Sequence, residues 1–296
     1  MNSSLLSLVI LLGGQAVSAQ DSTVRITVEG EKRVIEANGL PDHEPGRFPN
    51  RGNPNSISPQ SYRYTVPAKP VVAGAPTKLQ MQSFGIAVNG VPFDPNAAEW
   101  HDDDRTWQYE PMAGGIDLGV DKHHAHVQPT GAYHYHGLPT GLIIRLTEGK
   151  PKLVLVGWAA DGFPIYGPWG LTDPQDAKSP LVKLDSSYRV KSGQRPKDSP
   201  PGKYDGTFVA DYEYVAGTGD LDECNGRFGV TPEFPDGIYH YYLTDSFPFI
   251  PRLFKGTPDP SFARRGPPPG VGPPGRSKGK GKGKGRPPSL GELFRP

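Results

Sequence analysis

One cysteine in 296 residues, Cys224, is too few for an intrachain disulfide, and it rules out a thiolate-rich zinc or iron–sulfur site. Any metal must then be held by His, Asp, Glu or Tyr, and imidazole suits Zn, Cu, Fe and Ni. Long apolar runs are scarce too. The stretch from Leu5 to Leu12 is too short to span a bilayer, and no transmembrane segment is expected after it. No long amphipathic helix is evident, and Asn96–Tyr109 is the only candidate for a short one. The chain also lacks a G-x-S-x-G elbow, an H-E-x-x-H pair and a phosphate loop, which removes the common hydrolase readings. It carries no specific nucleic-acid motif.

What is present begins with a leader. Leu5–Leu12, the helix-breaking Gly13-Gly14 and the small residues Val17-Ser18-Ala19 before Gln20 have the order of a signal peptide over residues 1–19, although MNSS carries no basic residue. Export follows as the expectation, to a secreted, periplasmic or cell-surface location. At the other end, residues 264–296 carry nine Lys/Arg and one acidic side chain, whereas residues 1–263 carry 23 basic and 30 acidic. The formal charge of +1 therefore hides an acidic body and a basic tail. The tail is built largely from Gly, Pro, Lys and Arg and buries almost nothing, so it is expected to be disordered. Its charge could contact anionic surfaces or polysaccharide without specificity.

Between these ends, residues 20–263 read as one strand-rich domain. The chain has 38 Gly and 35 Pro, with β-branched and aromatic residues in short runs, which predicts a mainly β fold with long loops. Val24–Val28 and Arg33–Ala37 alternate around Glu29-Gly30-Glu31 as an opening hairpin. Tyr62–Val66, Gln82–Val88, Gly141–Leu146, Leu153–Trp158 and 207–215 read as further strands, and 172–203 as irregular.

Five of the eight histidines carry the chemistry. His124-Ala125-His126 and Tyr133-His134-Tyr135-His136 flank Gln128-Pro129-Thr130-Gly131, and His240 echoes them. Pro sets φ for a type I turn and Gly accepts φ > 0, so Pro129-Thr130-Gly131 predicts a three-residue hairpin loop that pairs Gln128 with Ala132. Counting outward sets His126 opposite His134 and His124 opposite His136. A two-residue loop would instead send the two pairs to opposite faces. Opposed Cβ atoms lie roughly 5 Å apart, so imidazoles on this face can reach one ion at about 2.0–2.1 Å. His124, His126, His134 and His136 are thus the candidate ligands for copper or zinc. The alternative is a packed His/Tyr core whose rings only stack and hydrogen-bond.

Pro235-Asp236-Gly237-Ile238-Tyr239-His240-Tyr241-Tyr242 repeats the block at 129–136 and predicts a second hairpin in which His240 faces Pro232. His240 and the loop residue His43 are candidate additional ligands. Glu99 and Asp161, beside aromatic residues, are candidates to orient a histidine by accepting its second N–H. His123 has the wrong strand parity and should face away. His101-Asp102-Asp103-Asp104 lacks the ligand spacing of a calcium loop and reads as a solvated acidic turn. Tyr133, Tyr135, Tyr239 and Tyr241 alternate with the histidines and should pack on the other face.

The YHYH string after H-x-H-x-Q-P-x-G resembles the YHYH family of exported bacterial proteins. Asn38–His43, Val88–Phe93, Ala160–Gly167 and Asp222–Gly226 are similar to that family's other blocks. The resemblance implies one unit centred on the histidine hairpin and brings no assigned activity. Three functions remain open: a metal-binding exported protein, a metal-dependent enzyme with an open coordination position, and a structural or surface-interaction module with a polyanion-contacting tail.

Overall fold

The computed structural model describes residues 21–263; the predicted signal peptide and basic tail lie outside the described residues. The described residues hold seventeen short strands, one α-helix and three single-turn 3-10 helices joined by long loops, as the mainly β expectation requires. Val24–Glu29 and Lys32–Ala37 form the opening hairpin, turned at Gly30 with φ of 62°, and Tyr62–Pro67 adds a third strand. Val34 and Ile35 are buried on it.

The principal sheet has eight strands. From one edge to the other they run Gly226–Thr231, Phe234–Tyr242, Pro164–Tyr166, Leu155–Ala159, Gly85–Ala87, Pro92–Phe93, Tyr133–Tyr135 and Ala125–Val127. Read outward from the antiparallel central pair, Leu155–Ala159 against Gly85–Ala87, the two sides match. Each continues to an antiparallel strand (Pro164–Tyr166 or Pro92–Phe93), then a parallel one (Phe234–Tyr242 or Tyr133–Tyr135), then an antiparallel edge. The residues match as well. Gly85, Asn89, Gly90 and Pro92 correspond to Gly157, Asp161, Gly162 and Pro164. Asn89 donates to the Tyr135 hydroxyl, and Asp161 accepts from the Tyr241 hydroxyl. Asp121 and Asp222 each accept from the tyrosine just before the central histidine of their hairpin, Tyr133 at 2.8 Å and Tyr239 at 2.9 Å.

The histidine hairpin has the register that its turn dictates. Ala125 pairs with Tyr135, His126 with His134 and Val127 with Tyr133. Gln128 N–H donates to the Ala132 carbonyl, and Gly131 sits at φ 84° with its N–H on the Gln128 carbonyl. A Cβ at Gly131 would run into the Ser58 hydroxyl, so the position needs glycine twice over. Tyr133 and Tyr135 are fully buried on the face opposite the histidines, against Phe48 and Phe93.

Three expectations are corrected. Gly141–Leu146 is helical, within the α-helix Thr140–Thr147. Its Leu142 is fully buried and Ile144 exposed, and Glu148 ends it in the left-handed region, so one face is apolar rather than alternate residues. Asn96–Tyr109 forms only a single 3-10 turn at His101–Asp103, because Asp102 and Asp103 take positive φ. In the second hairpin the turn falls at Pro232-Glu233, and Thr231 pairs with Phe234. Pro235-Asp236-Gly237 lies inside the strand Phe234–Tyr242 where the register slips, so His240 faces Arg227 rather than Pro232. The local turn preference is spent on a bulge, since pairing continues beyond it.

Candidate metal centre

Three imidazoles converge on one face of the histidine hairpin. The candidate ligand nitrogens of His126, His134 and His136 all lie within 4.8 Å of one another. Their ring centroids are 4.5–4.7 Å apart, and the planes meet at 65–87°. His134 and His136 are buried and His126 is half-buried.

The outer nitrogens are tethered. His126 Nδ1 lies 3.1 Å from the Leu118 carbonyl and His134 Nδ1 lies 3.3 Å from that of Ala132. A carbonyl can only accept, so both Nδ1 atoms carry the proton and each Nε2 presents a lone pair; these tautomers are assigned from the partners. His134 Nε2 is 3.1 Å from His136 Nε2. Two bare lone pairs at that distance repel, so the contact needs a proton or a metal ion between them. Without a metal, His136 supplies Nε2–H and leaves its own Nδ1 bare. That Nδ1 is buried with no well-aligned partner, although the Pro95 carbonyl lies close enough to favour a proton there.

Burial keeps His126 and His136 neutral. It pushes His126 down to about 4, His134 adds to the effect, and the Leu118 carbonyl and Asp94 oppose it. Burial also holds His136 well below the usual imidazole range, with His134, His126 and Arg252 acting in the same direction. Neutral imidazole is the form that binds metal. Two nitrogens about 2.0–2.1 Å from one ion lie about 2.9 Å apart at a right angle and about 3.3 Å apart at the tetrahedral angle. The observed 3.1 Å falls between, so the His134–His136 pair has the spacing of two ligands on one copper or zinc ion, with His126 within 4.8 Å of both.

His124 is not brought into this group. It takes φ of 58° and precedes the strand, and its Nδ1 is held 2.8 Å from the Leu138 carbonyl. Its backbone still opposes His136, whose N–H bonds the His124 carbonyl, so the register holds while the side chain leaves the face. His43 lies behind the tyrosine face, with Nε2 2.8 Å from the Tyr135 hydroxyl and its ring edge-on to His123. His123 bonds Thr140 and the Glu44 carbonyl. Glu99 is exposed. Asp161 is buried and accepts from Tyr241, Gly256 N–H and Phe163 N–H rather than from a histidine. Burial raises its carboxyl to about 6 against those bonds. Cys224 is buried, and its thiol is pushed up to about 12, first by burial and then by Asp222.

Asp94 was not legible as a site residue. It is buried beside the triad, where its charge favours protonated His126, and Gln128 Nε2 approaches it at 3.5 Å. The signal lay in the Val88–Phe93 block, which runs directly into Asp94.

His240 bonds the Ile238 carbonyl through Nδ1 at 2.9 Å and the Tyr242 hydroxyl through Nε2 at 2.8 Å. Burial pushes it down to about 4, with Arg227 acting in the same direction and the Ile238 carbonyl against. Between pH 6.5 and 4 the unfolded chain takes up a proton here that the native protein refuses. Stability therefore falls as pH drops through that window, by up to about 3 kcal/mol from this group. The stability gap between wild type and His240→Gln should narrow from pH 7 to pH 4.5 in chemical denaturation; a constant gap would remove His240 from the acid response.

A family model described as YHYH protein matches residues 63–256, a span that holds both hairpins and the whole triad. No curated protein and no solved structure matches the chain. Among the described residues no helix is long and apolar enough to cross a membrane.

Proposed function

The chain belongs to the YHYH protein family, and on that premise we propose that it is an exported protein whose clustered imidazoles, His126, His134 and His136, hold one copper or zinc ion. The observation that carries this is the convergence of three imidazoles whose candidate ligand nitrogens lie within 4.8 Å of one another, with the buried His134 and His136 Nε2 atoms 3.1 Å apart. In a metal-free packed core that contact is one N–H···N hydrogen bond, made at the cost of a buried His136 Nδ1 with no aligned partner. A bound cation would replace that hydrogen bond by coordination, leave the His136 proton on Nδ1 towards the Pro95 carbonyl, and draw further support from the Asp94 carboxylate nearby. The carbonyls of Leu118 and Ala132 then act as the outer partners that fix ring orientation at metal sites. Export rests on the leader at residues 1–19.

A second reading has an observation of its own. The set stops at three histidines, since His124 is turned away. Three protein ligands leave a fourth position for water or substrate, which is the arrangement of catalytic rather than structural zinc.

Elemental analysis of untagged protein after chelator challenge and metal reloading tests the proposal. One copper or zinc per chain is expected in the wild type, and less than about a tenth of that in His126→Ala/His134→Ala. Full occupancy in the double variant would refute the assignment.

A further inference from the structure

The second hairpin repeats the triad's frame with different side chains. His126 opposes His134 across the first hairpin, and Arg227 opposes His240 across the second. His136 stands two residues after His134, and Tyr242 two after His240. The backbone N–H of each bonds the carbonyl of a left-handed residue before the facing strand, His124 in one half and Asn225 in the other. The hydrogen bonding repeats as well. His134 and His240 both turn Nδ1 to the carbonyl two residues back, at 3.3 and 2.9 Å. Both present Nε2 to the next side chain along, His136 at 3.1 Å and Tyr242 at 2.8 Å.

What differs is the cation. In the second half the Arg227 guanidinium lies 5.3 Å from the Tyr242 ring centroid and donates to the Leu171 carbonyl at 2.6 Å. Arg227 Nη2 and the Tyr242 hydroxyl both crowd the spot where Gly170 would carry a Cβ, at 2.7 and 2.8 Å, so they share one small space. The acid has gone as well: Tyr166 stands at the position equivalent to Asp94 and sets its ring edge-on to His240. A guanidinium needs no ligand lone pairs, and the half-buried Arg227 finds an acceptor in the Leu171 carbonyl and an aromatic face in Tyr242, while its Nε is left without a partner.

We propose that the Arg227–His240–Tyr242 cluster repeats the frame of the first triad with a guanidinium in place of the ion, and that Arg227→His/Tyr242→His opens this frame to a late first-row divalent ion. This inference rests on the metal reading of the first triad, and the experiment separates the two. Full-length, untagged Arg227→His/Tyr242→His is equilibrated with zinc chloride, dialysed and analysed beside wild type, with circular dichroism as the check on folding. One zinc per chain above the wild-type content is expected, and one remaining zinc when His126→Ala/His134→Ala is added. A wild type without zinc and a double variant with one would refute the first triad and keep the second. A folded variant with no more zinc than wild type overturns the inference.

The reverse exchange, His126→Arg/His136→Tyr, keeps the inference testable if the forward variant does not fold. It should give a folded, zinc-free protein whose thermal unfolding ignores chelator. Failure of the reverse variant to fold, or retention of zinc in it, also overturns the inference.

Discussion

Zinc at a thousandfold excess over its dissociation constant is expected to raise the unfolding free energy by about 4 kcal/mol, since an ion that binds only the native state stabilises by mass action. For a domain of this size that corresponds to a midpoint roughly 8–16 °C higher. The ion would act at an edge of the sheet. Ala125–Val127 is an edge strand held by three residue pairs, and His126 on it would be tied through the metal to His134 and His136 on the neighbouring chain segment. His136→Ala removes one of three ligands and should abolish most of the shift; its apo midpoint should itself fall, because a buried ring and its Nε2 bond to His134 are lost, so the shift is read against the variant's own apo midpoint. Differential scanning calorimetry with zinc titrated into chelator-stripped protein reads both. A shift of equal size in the His136 variant would place the ion elsewhere.

The second large effect belongs to a neighbouring ion pair. Glu110 is fully buried, and Arg252, one of the charges that disfavours a proton on His136, reaches it at 2.5 Å. Burial raises the Glu110 carboxyl, and Arg252 is the main opposing influence. Arg252→Met would leave an uncompensated carboxylate in the interior, at a cost of about 3–5 kcal/mol. Adding Glu110→Gln should recover part of that loss, because the remaining group is then neutral. The sign of the pH dependence follows. With its partner gone, native Glu110 binds a proton more readily than the unfolded chain does, so the deficit of the single variant shrinks as pH falls. Urea denaturation at pH 7.5 and 5 measures it. A deficit below about 1 kcal/mol at neutral pH, or one that widens in acid, would mean the pair is screened rather than buried.

Short-range chemistry was legible in the residues, and long-range compensation was not. Pro129-Thr130-Gly131 made the expected turn because its neighbours on both sides pair directly. Pro235-Asp236-Gly237 has the same chemistry and became a bulge, because Thr231 and Phe234 continue the ladder beyond it. Gly141–Leu146 read as a strand from its apolar run. Only the burial of Leu142 against the core, with Ile144 left outside, shows the helical face. Asp94 and Arg252 are single polar residues whose positions carry no pattern, and their meaning comes from neighbours distant in the chain.

The sequence by itself determined a hairpin whose loop length sets His126 against His134 and keeps the histidines apart from the tyrosines. That outcome follows from the period of two along a strand and from one glycine at positive φ. Which histidines meet was decided by the tertiary structure. The Asp121 carboxylate accepts the N–H groups of His123 and Ala125, and its other oxygen accepts from the Tyr133 hydroxyl and the Gly46 N–H. Held from the loop before the strand and from across the hairpin, the chain turns left-handed at His124 and the alternation stops one residue short. The four-histidine face therefore closes as a triad, with His124 bonded to Leu138 instead.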